Sequence, residues 1–227
     1  MFFPLKDDNP TNTFPFVTVG LILANCVVFY HQLTLSLPAS QRFIFQWGAI
    51  PYQIVHGEVL YGRGLFPPFV TLFSSMFLHG GFLHLIGNML YLWIFGNNIE
   101  DTLGHFRFLI FYLLAGLGAA LAQVLSDPQS TTPMIGASGA VAGILGAYLL
   151  LFPHARILTL MFIFVFIRMI RIPALIVLGF WFLMQLLSVT SGYETGVAFF
   201  AHIGGFVAGL ILVKVFQPKK VNRRKYY

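Results

Sequence analysis

The chain has 227 residues, of which 58% are hydrophobic and only 9% are charged, so it has too little polar surface for a soluble globule. Its mean hydropathy is +0.82 and its formal net charge is +6. A chain of this length can hold about six membrane spans of roughly 20 residues, with little left for another domain. We therefore predict an all-α polytopic membrane protein with six transmembrane helices.

The predicted membrane domain, residues 16–217, lies between two polar ends. In residues 1–15 the charged residues Lys6, Asp7 and Asp8 are followed by Pro10 and Pro15 before the first apolar run, so we expect a short cytoplasmic N-terminus without a cleavable signal peptide. Residues 218–227 form a basic tail. Such a tail can bind nucleic acid, but next to a span it is typical of a positive-inside anchor, so we expect lipid and no nucleic acid as its partner. The basic residues of the tail are Lys219, Lys220, Arg223, Arg224 and Lys225.

Apolar runs predict where the spans lie along the chain. Residues 38–69 are interrupted by prolines and charges, and we expect them to form an interfacial loop with Trp47, Tyr52 and Tyr61 at the headgroups. The predicted spans are 16–37, 82–99, 108–125, 138–152, 172–189 and 197–216.

Residues 157–171 are apolar, but they are short and end in Arg168 and Arg171. As a seventh span they would put Ser138 and His202 at opposite membrane faces. With six spans both termini are cytoplasmic and the arginine-rich connections share their side, as the positive-inside bias requires. We therefore expect residues 157–171 to be interfacial or half-inserted on the cytoplasmic side.

Ser138 stands among small residues at the start of the fourth span, in the sequence Gly136-Ala137-Ser138-Gly139. A serine at a helix start can act as a nucleophile, because free backbone N–H groups there can bind the anion that its attack creates. The same four residues can instead provide only a helix cap and a small packing face.

His202 lies in the sixth span at the depth predicted for Ser138. Small residues on both helices would let them approach until the imidazole is within about 3 Å of the serine hydroxyl and can accept its proton. A single histidine in a span can also serve only packing or proton relay. The small residues that follow Ser138 and His202 at helical spacing are Ala142, Gly146, Gly205 and Gly209, and Gly139 and Gly143 form a second row.

His84 and Asn88 are one turn apart on the second span, and both side chains can donate hydrogen bonds. Together with the Ser138 backbone N–H they would complete an oxyanion hole, in which each donor contributes about 2.7–4 kcal/mol to the transition state. The alternative is hydrogen bonding between helices without chemistry.

These motifs resemble the rhomboid family of intramembrane serine proteases. The matching residues are Gly136-Ala137-Ser138-Gly139, the His84 and Asn88 pair with His79 before it, and Ala201-His202-Ile203-Gly204-Gly205 followed by Gly209. The resemblance implies a six-helix bundle in which Ser138 is the nucleophile, His202 is the general base and then acid, and His84, Asn88 and the Ser138 backbone form the oxyanion hole. It also implies that Glu100 is a structural partner at the inner end of the second helix. The implied substrates are single-span membrane proteins cut near the outer face of the bilayer.

Two positions depart from the family pattern. Many relatives have a Trp-Arg pair in the first loop, where this chain has Val70-Thr71. Some relatives place a tyrosine beneath the catalytic histidine, where this chain has Ala142. We therefore expect a different anchoring of the first loop and a different support for His202.

Other classes of site fit the sequence less well. None of the seven acidic residues is placed mid-span, so an aspartyl dyad cannot form. A His-Glu-x-x-His motif is absent and Cys26 is remote from the histidines, so no metal and no cofactor are expected. A channel or transporter would show internal repeats and broken helices in paired positions, and the sequence indicates neither. The main alternative is a non-catalytic rhomboid-like protein that binds transmembrane helices.

The basic tail and the lack of a targeting peptide suggest a prokaryotic plasma membrane.

Overall fold

The computed structural model describes residues 2–60, 66–163, 166–190 and 197–218. These residues form nine α-helices and three β-strands. The helices are α1 (Phe16–Thr34), α2 (Leu37–Trp47), α3 (Pro51–His56), α4 (Thr71–Ser74), α5 (Phe82–Leu103), α6 (His105–Ser126), α7 (Ser138–Leu151), α8 (Ala174–Thr190) and α9 (Phe199–Phe216). The strands are β1 (Phe2–Asp7), β2 (Arg156–Ile163) and β3 (Phe166–Pro173).

The helical elements are those of a protein that crosses a membrane several times. By length and composition, α1, α6 and α9 can each span a bilayer, and Pro68–Phe77 together with α5, bent by 83° at the break between them, fits either a broken fourth span or a re-entrant loop. Helices α7 and α8 are shorter and apolar. Each of the six predicted spans coincides with one of these helices, and the prediction of a helical, multi-span membrane protein is confirmed.

Helix α7 is the centre of the bundle. All ten residues from Gly139 to Tyr148 are buried, which is typical of a core helix enclosed on every side. Its small residues let neighbouring backbones approach closely. A Cβ on Gly205 would collide with the carbonyl of Gly139, and a Cβ on Gly209 would collide with the carbonyl of Gly143. These contacts seat α9 directly on α7.

The sequence analysis missed a three-stranded antiparallel sheet with the order β1-β2-β3. Strands β2 and β3 pair from Arg156 with Pro173 to Ile163 with Phe166, so the ambiguous segment 157–171 is a strand pair rather than a membrane helix. Strand β1 pairs with β2, with an irregularity after Pro4, which has no N–H to donate. The N-terminal residues, expected to be only a polar end, are thus part of the fold.

Strand β1 is attached to the bundle through a buried carboxylate. Asp7 Oδ2 accepts hydrogen bonds from the Tyr148 hydroxyl and from Asn98 Nδ2, both at 2.7 Å. Because Asn98 lies on α5 and Tyr148 lies on α7, Asp7 holds the sheet against two helices of the core.

The predicted loop 38–69 contains two helices, α2 and α3, and the first span ends at Thr34 instead of residue 37. The loop is held by backbone hydrogen bonds in both directions between Ala49 and Met134 and by one from Tyr52 N–H to the Ser130 carbonyl. The Ser74 hydroxyl donates to the Trp47 carbonyl at 2.7 Å. These bonds anchor the loop without a Trp-Arg pair. Tyr61 and the basic tail from residue 219 onward lie outside the described residues.

Glu100 connects the C-terminal end of α5 to the first turn of α1. Its buried carboxylate accepts hydrogen bonds from the backbone N–H groups of Val17 and Thr18, at 2.9 and 2.8 Å, and from the Thr18 hydroxyl at 2.7 Å. His105 Nδ1 lies 2.6 Å from the same carboxylate. A negative charge at a helix N-terminus is favourable, and here it fixes α1 against α5.

Candidate active site

Ser138 and His202 are in hydrogen-bonding contact. Ser138 Oγ lies 2.9 Å from His202 Nε2, although the two residues are 64 positions apart in the chain. Ser138 is the first residue of α7, and His202 lies in the first turn of α9. The distance is that of a hydroxyl donating to a neutral imidazole, which is the arrangement a serine nucleophile needs.

Close helix packing produces this contact. Gly139, next to Ser138, lies against the methyl group of Ala119 on α6, and a Cβ at position 139 would be 2.5 Å from the Ala119 Cβ. Gly205, one turn after His202, lies against the Gly139 carbonyl. Since no side chain separates the backbones at these positions, the first turns of α7 and α9 are near enough for a short serine side chain to reach the imidazole.

The ring of His84 points at the backbone just before Ser138. Its Nδ1 accepts a hydrogen bond from Gly80 N–H at 3.4 Å, so the ring proton belongs on Nε2. A Cβ at Gly136 would lie 2.7 Å from that Nε2. Gly136 also has a φ of 119°, which favours glycine. His84 therefore directs an N–H donor at the entrance to α7.

Asn88 points at the same backbone. Its Nδ2 lies 3.0 Å from His79 Nε2 and would lie 3.6 Å from a Cβ at Gly136. An amide nitrogen carries two hydrogens, so one can bond His79 and the other can face Gly136. His79 is buried, and its backbone N–H and carbonyl pair with the side-chain amide of Gln32 on α1, at 3.0 and 3.1 Å.

Three hydrogen-bond donors lie at or close to the backbone between Gly136 and Ser138. They are the Nε2 hydrogen of His84, the Nδ2 hydrogen of Asn88 and the backbone N–H of Ser138, which as the first residue of a helix has no acceptor within it. The Gly136 N–H donates to the Ser75 carbonyl at 2.9 Å and holds this backbone in place. These are the donors that an oxyanion hole at Ser138 would use.

The sequence analysis did not predict what contacts the far side of His202. Its Nδ1 lies 2.8 Å from Gln185 Oε1, and its ring lies 5.9 Å from the ring of Trp181, both on α8. Gln185 is a strong polar residue within the fifth predicted span, residues 172–189. Depth is the signal that could have indicated this contact, because a polar side chain in a span needs a partner. Gln185 lies near the C-terminal end of α8 and His202 near the N-terminal end of α9, and the short connection between the two helices places both residues at the same end of the bundle.

Comparison with known proteins identifies the family. The family model described as the Rhomboid domain matches residues 68–219, about two thirds of the chain. The chain belongs to the rhomboid family. This match includes α4 to α9, and so it includes every residue that surrounds Ser138.

Individual rhomboid relatives are similar over different shares of the chain. RHOMBOID-like protein 5 of Arabidopsis thaliana is 37% identical over 150 residues, which are 65% of this chain and 45% of the relative. Rhomboid protease GluP of Bacillus subtilis is 38% identical over 138 residues, 61% of this chain and 24% of the relative. Rhomboid protease AarA of Providencia stuartii is 27% identical over 230 aligned positions, 91% of this chain and 75% of the relative. The chain spans less than half the length of the first two.

The relatives do not support the prediction of a prokaryotic plasma membrane. Several have names that place them in mitochondria or chloroplasts, beside the bacterial proteins. What the family match and the helices support together is a multi-pass integral membrane protein.

Proposed function

We propose that this chain is an intramembrane serine endopeptidase that cleaves single-span membrane proteins through a Ser138–His202 dyad. The observation that carries the proposal is the 2.9 Å contact between Ser138 Oγ and His202 Nε2, and the donor groups of His84 and Asn88 close to the backbone at Gly136 support it. If the contact between Ser138 and His202 served only to join two helices, the nearby donors of His84 and Asn88 would have no role. Membership of a family that contains named proteases supports the same reaction.

The first half of the reaction uses each group in turn. Ser138 Oγ attacks the carbonyl carbon of the scissile peptide bond while His202 Nε2 takes the hydroxyl proton. The carbonyl oxygen becomes an anion and is bound by the N–H groups of His84, Asn88 and Ser138. As the intermediate collapses, His202 gives its proton to the leaving amine, and the other half of the substrate stays as an ester on Ser138.

Water completes the cycle. His202 removes a proton from a water molecule that attacks the ester carbonyl, and the same three donors bind the second oxyanion. When this intermediate collapses, the proton returns to Ser138 and a new carboxyl terminus leaves. No metal and no cofactor enter any step.

The position of the site indicates what kind of substrate it takes. Ser138 and His202 lie in the first turns of helices near one end of the bundle, which corresponds to the outer part of the bilayer if both termini are cytoplasmic. The exposed arginines Arg156, Arg168 and Arg171 lie in the sheet at the opposite end of α7, as the positive-inside bias expects. A peptide bond in a helix is shielded by its own hydrogen bonds, so the substrate must unwind locally, and small residues favour this.

The test combines cleavage and labelling of the purified chain in detergent and in liposomes. A panel of single-span reporter proteins with small residues in their outer half is incubated with wild type, Ser138→Ala and His202→Ala. A fluorophosphonate probe is added in parallel, and the labelled residue is identified by mass spectrometry. We expect cleavage and Ser138 labelling by wild type only, with unchanged melting temperatures in both variants.

Undiminished cleavage by either variant would refute the dyad. If wild type is not labelled and uncut reporters copurify with it, the chain binds transmembrane helices without catalysis, and the proposal is wrong.

A further inference from the structure

Gln185 contacts the nitrogen of His202 that faces away from Ser138. The distance from Gln185 Oε1 to His202 Nδ1 is 2.8 Å, while His202 Nε2 is 2.9 Å from Ser138 Oγ. Gln185 is half-buried and comes from α8, a helix distinct from those that carry Ser138 and His202. Each nitrogen of the imidazole therefore has its own partner.

The amide of Gln185 is held in one orientation. Its Nε2 donates to the carbonyl of Trp181, one turn earlier in α8, at 3.3 Å. Turning the amide over would place its oxygen against that carbonyl oxygen, which is unfavourable. The oxygen of Gln185 is consequently the atom that faces His202, and it can only accept.

An acceptor at Nδ1 decides which nitrogen of His202 holds the proton. The proton stays on Nδ1, so the lone pair is on Nε2, where it can receive the proton of Ser138. When the proton arrives, the ring becomes an imidazolium, and its bond to Gln185 becomes charge-assisted and stronger. An interaction that strengthens as the reaction proceeds raises kcat rather than substrate affinity.

Helix α8 also supplies an aromatic contact to His202, which Ala142 cannot provide. Ala142 is fully buried and offers only a methyl group beneath the active site. Trp181 lies one turn from Gln185, and its ring is 5.9 Å from the His202 ring with 36° between the ring planes. An aromatic ring within about 6 Å also favours a cation, so Trp181 and Gln185 both suit the protonated ring.

From these contacts the geometry points to Gln185 as a positioning residue, which sets the tautomer and orientation of His202 from the side opposite Ser138. The inference rests on the proposed protease function. Gln185, on α8, is then a third polar group beside the Ser138–His202 pair, and its side chain is neutral rather than acidic.

The test compares Gln185→Leu, which cannot accept a hydrogen bond, with Gln185→Glu, which can. Thr190→Val on the same helix is the matched control, because its hydroxyl donates to the Leu187 carbonyl and not to His202. Cleavage of a single-span reporter is measured from pH 5 to 9, together with the rate of fluorophosphonate labelling at Ser138. Melting temperature in detergent reports folding.

We expect Gln185→Leu to lower kcat about tenfold to one-hundredfold, with KM within about twofold, because a hydrogen bond to a charged ring is lost. The acid limb of its kcat/KM profile should move to lower pH. Gln185→Glu should retain most of the activity, and its acid limb should move to higher pH by about one unit, because a carboxylate favours the imidazolium. Thr190→Val should match wild type.

Two results would overturn the inference. One is Gln185→Leu with kcat within twofold of wild type and an unmoved acid limb. The other is an equal loss of activity in Gln185→Leu and Gln185→Glu with both acid limbs unmoved, which would indicate a packing role. A wild type that neither cleaves nor reacts with the probe would refute the proposed function itself and this inference with it.

Discussion

Adding one methyl group at Gly139 should displace Ser138, the proposed nucleophile, without unfolding the protein. A Cβ at this position would lie 2.5 Å from the Cβ of Ala119, and ordinary contacts between such atoms begin at about 3.4 Å. Neither atom is the end of a flexible side chain, so α6 and α7 must move apart by about 1 Å. Ser138 is the residue before Gly139 on α7 and moves with it.

The size of the effect follows from that displacement. Overpacking of this kind costs about 1–3 kcal/mol, and replacing a helical glycine with alanine returns up to about 1 kcal/mol. The net loss of stability is therefore small. A 1 Å misplacement of a reacting group can cost about one-hundredfold in rate, so kcat for Gly139→Ala should fall by about that factor.

The assay is reporter cleavage in detergent, with melting temperature measured on the same samples. Ala119→Gly combined with Gly139→Ala removes the colliding methyl group and should restore most of the lost kcat. Gly20→Ala on α1 is the control, because among the described residues nothing lies within 4 Å of its added methyl group. A kcat for Gly139→Ala equal to that of wild type, or no recovery in the double variant, would refute the steric reasoning.

Two further predictions concern the oxyanion donors and the sheet. Asn88→Ala should lower kcat about one-hundredfold to one-thousandfold with little change in KM, as expected for a donor that acts mainly in the transition state, and a rise in KM alone would contradict this role. Burial raises the pKa of Asp7 above its ordinary value, so the folded protein holds this proton more tightly than the unfolded chain. Stability should therefore fall as pH rises from about 4 through the raised pKa of Asp7. Asp7→Asn should remove that part of the pH dependence of the melting temperature, and an identical dependence in both proteins would count against it.

The helical bundle could be predicted because its signals are local. Each span is a run of apolar residues bounded by charges or prolines, and in a bilayer such a run has no stable alternative to a helix. The approximate ends predicted for the second, fourth and sixth spans agree with the helix ends at Phe82, Ser138 and Phe216. The partnership of Ser138 and His202 could also be proposed, because counting spans gives depth and small residues indicate which helices approach.

The sheet could not be predicted, because the interactions that form it are not local in the sequence. Residues 157–171 are apolar and rich in isoleucine and phenylalanine, and short runs of this kind fit a strand or a helix equally well. What decides for strands is pairing with residues 2–7, more than 150 positions away, whose local sequence shows no strand pattern. Asp7 could not be recognised as buried, since both of its partners, Asn98 and Tyr148, belong to other elements.

The support of His202 from α8 depends on how that helix is seated against α9. Phe182 stacks on Phe206, with 4.3 Å between the ring centroids and 20° between the ring planes. Phe206 lies one turn after His202 on α9, and Gln185 lies about one turn after Phe182 on α8. Because the two helices run in opposite directions, the phenylalanine stack sets the height at which Gln185 meets His202. Three helices therefore determine the geometry of the candidate site. Helix α7 carries Ser138, α9 carries His202, and α8 contacts the nitrogen of His202 that faces away from Ser138.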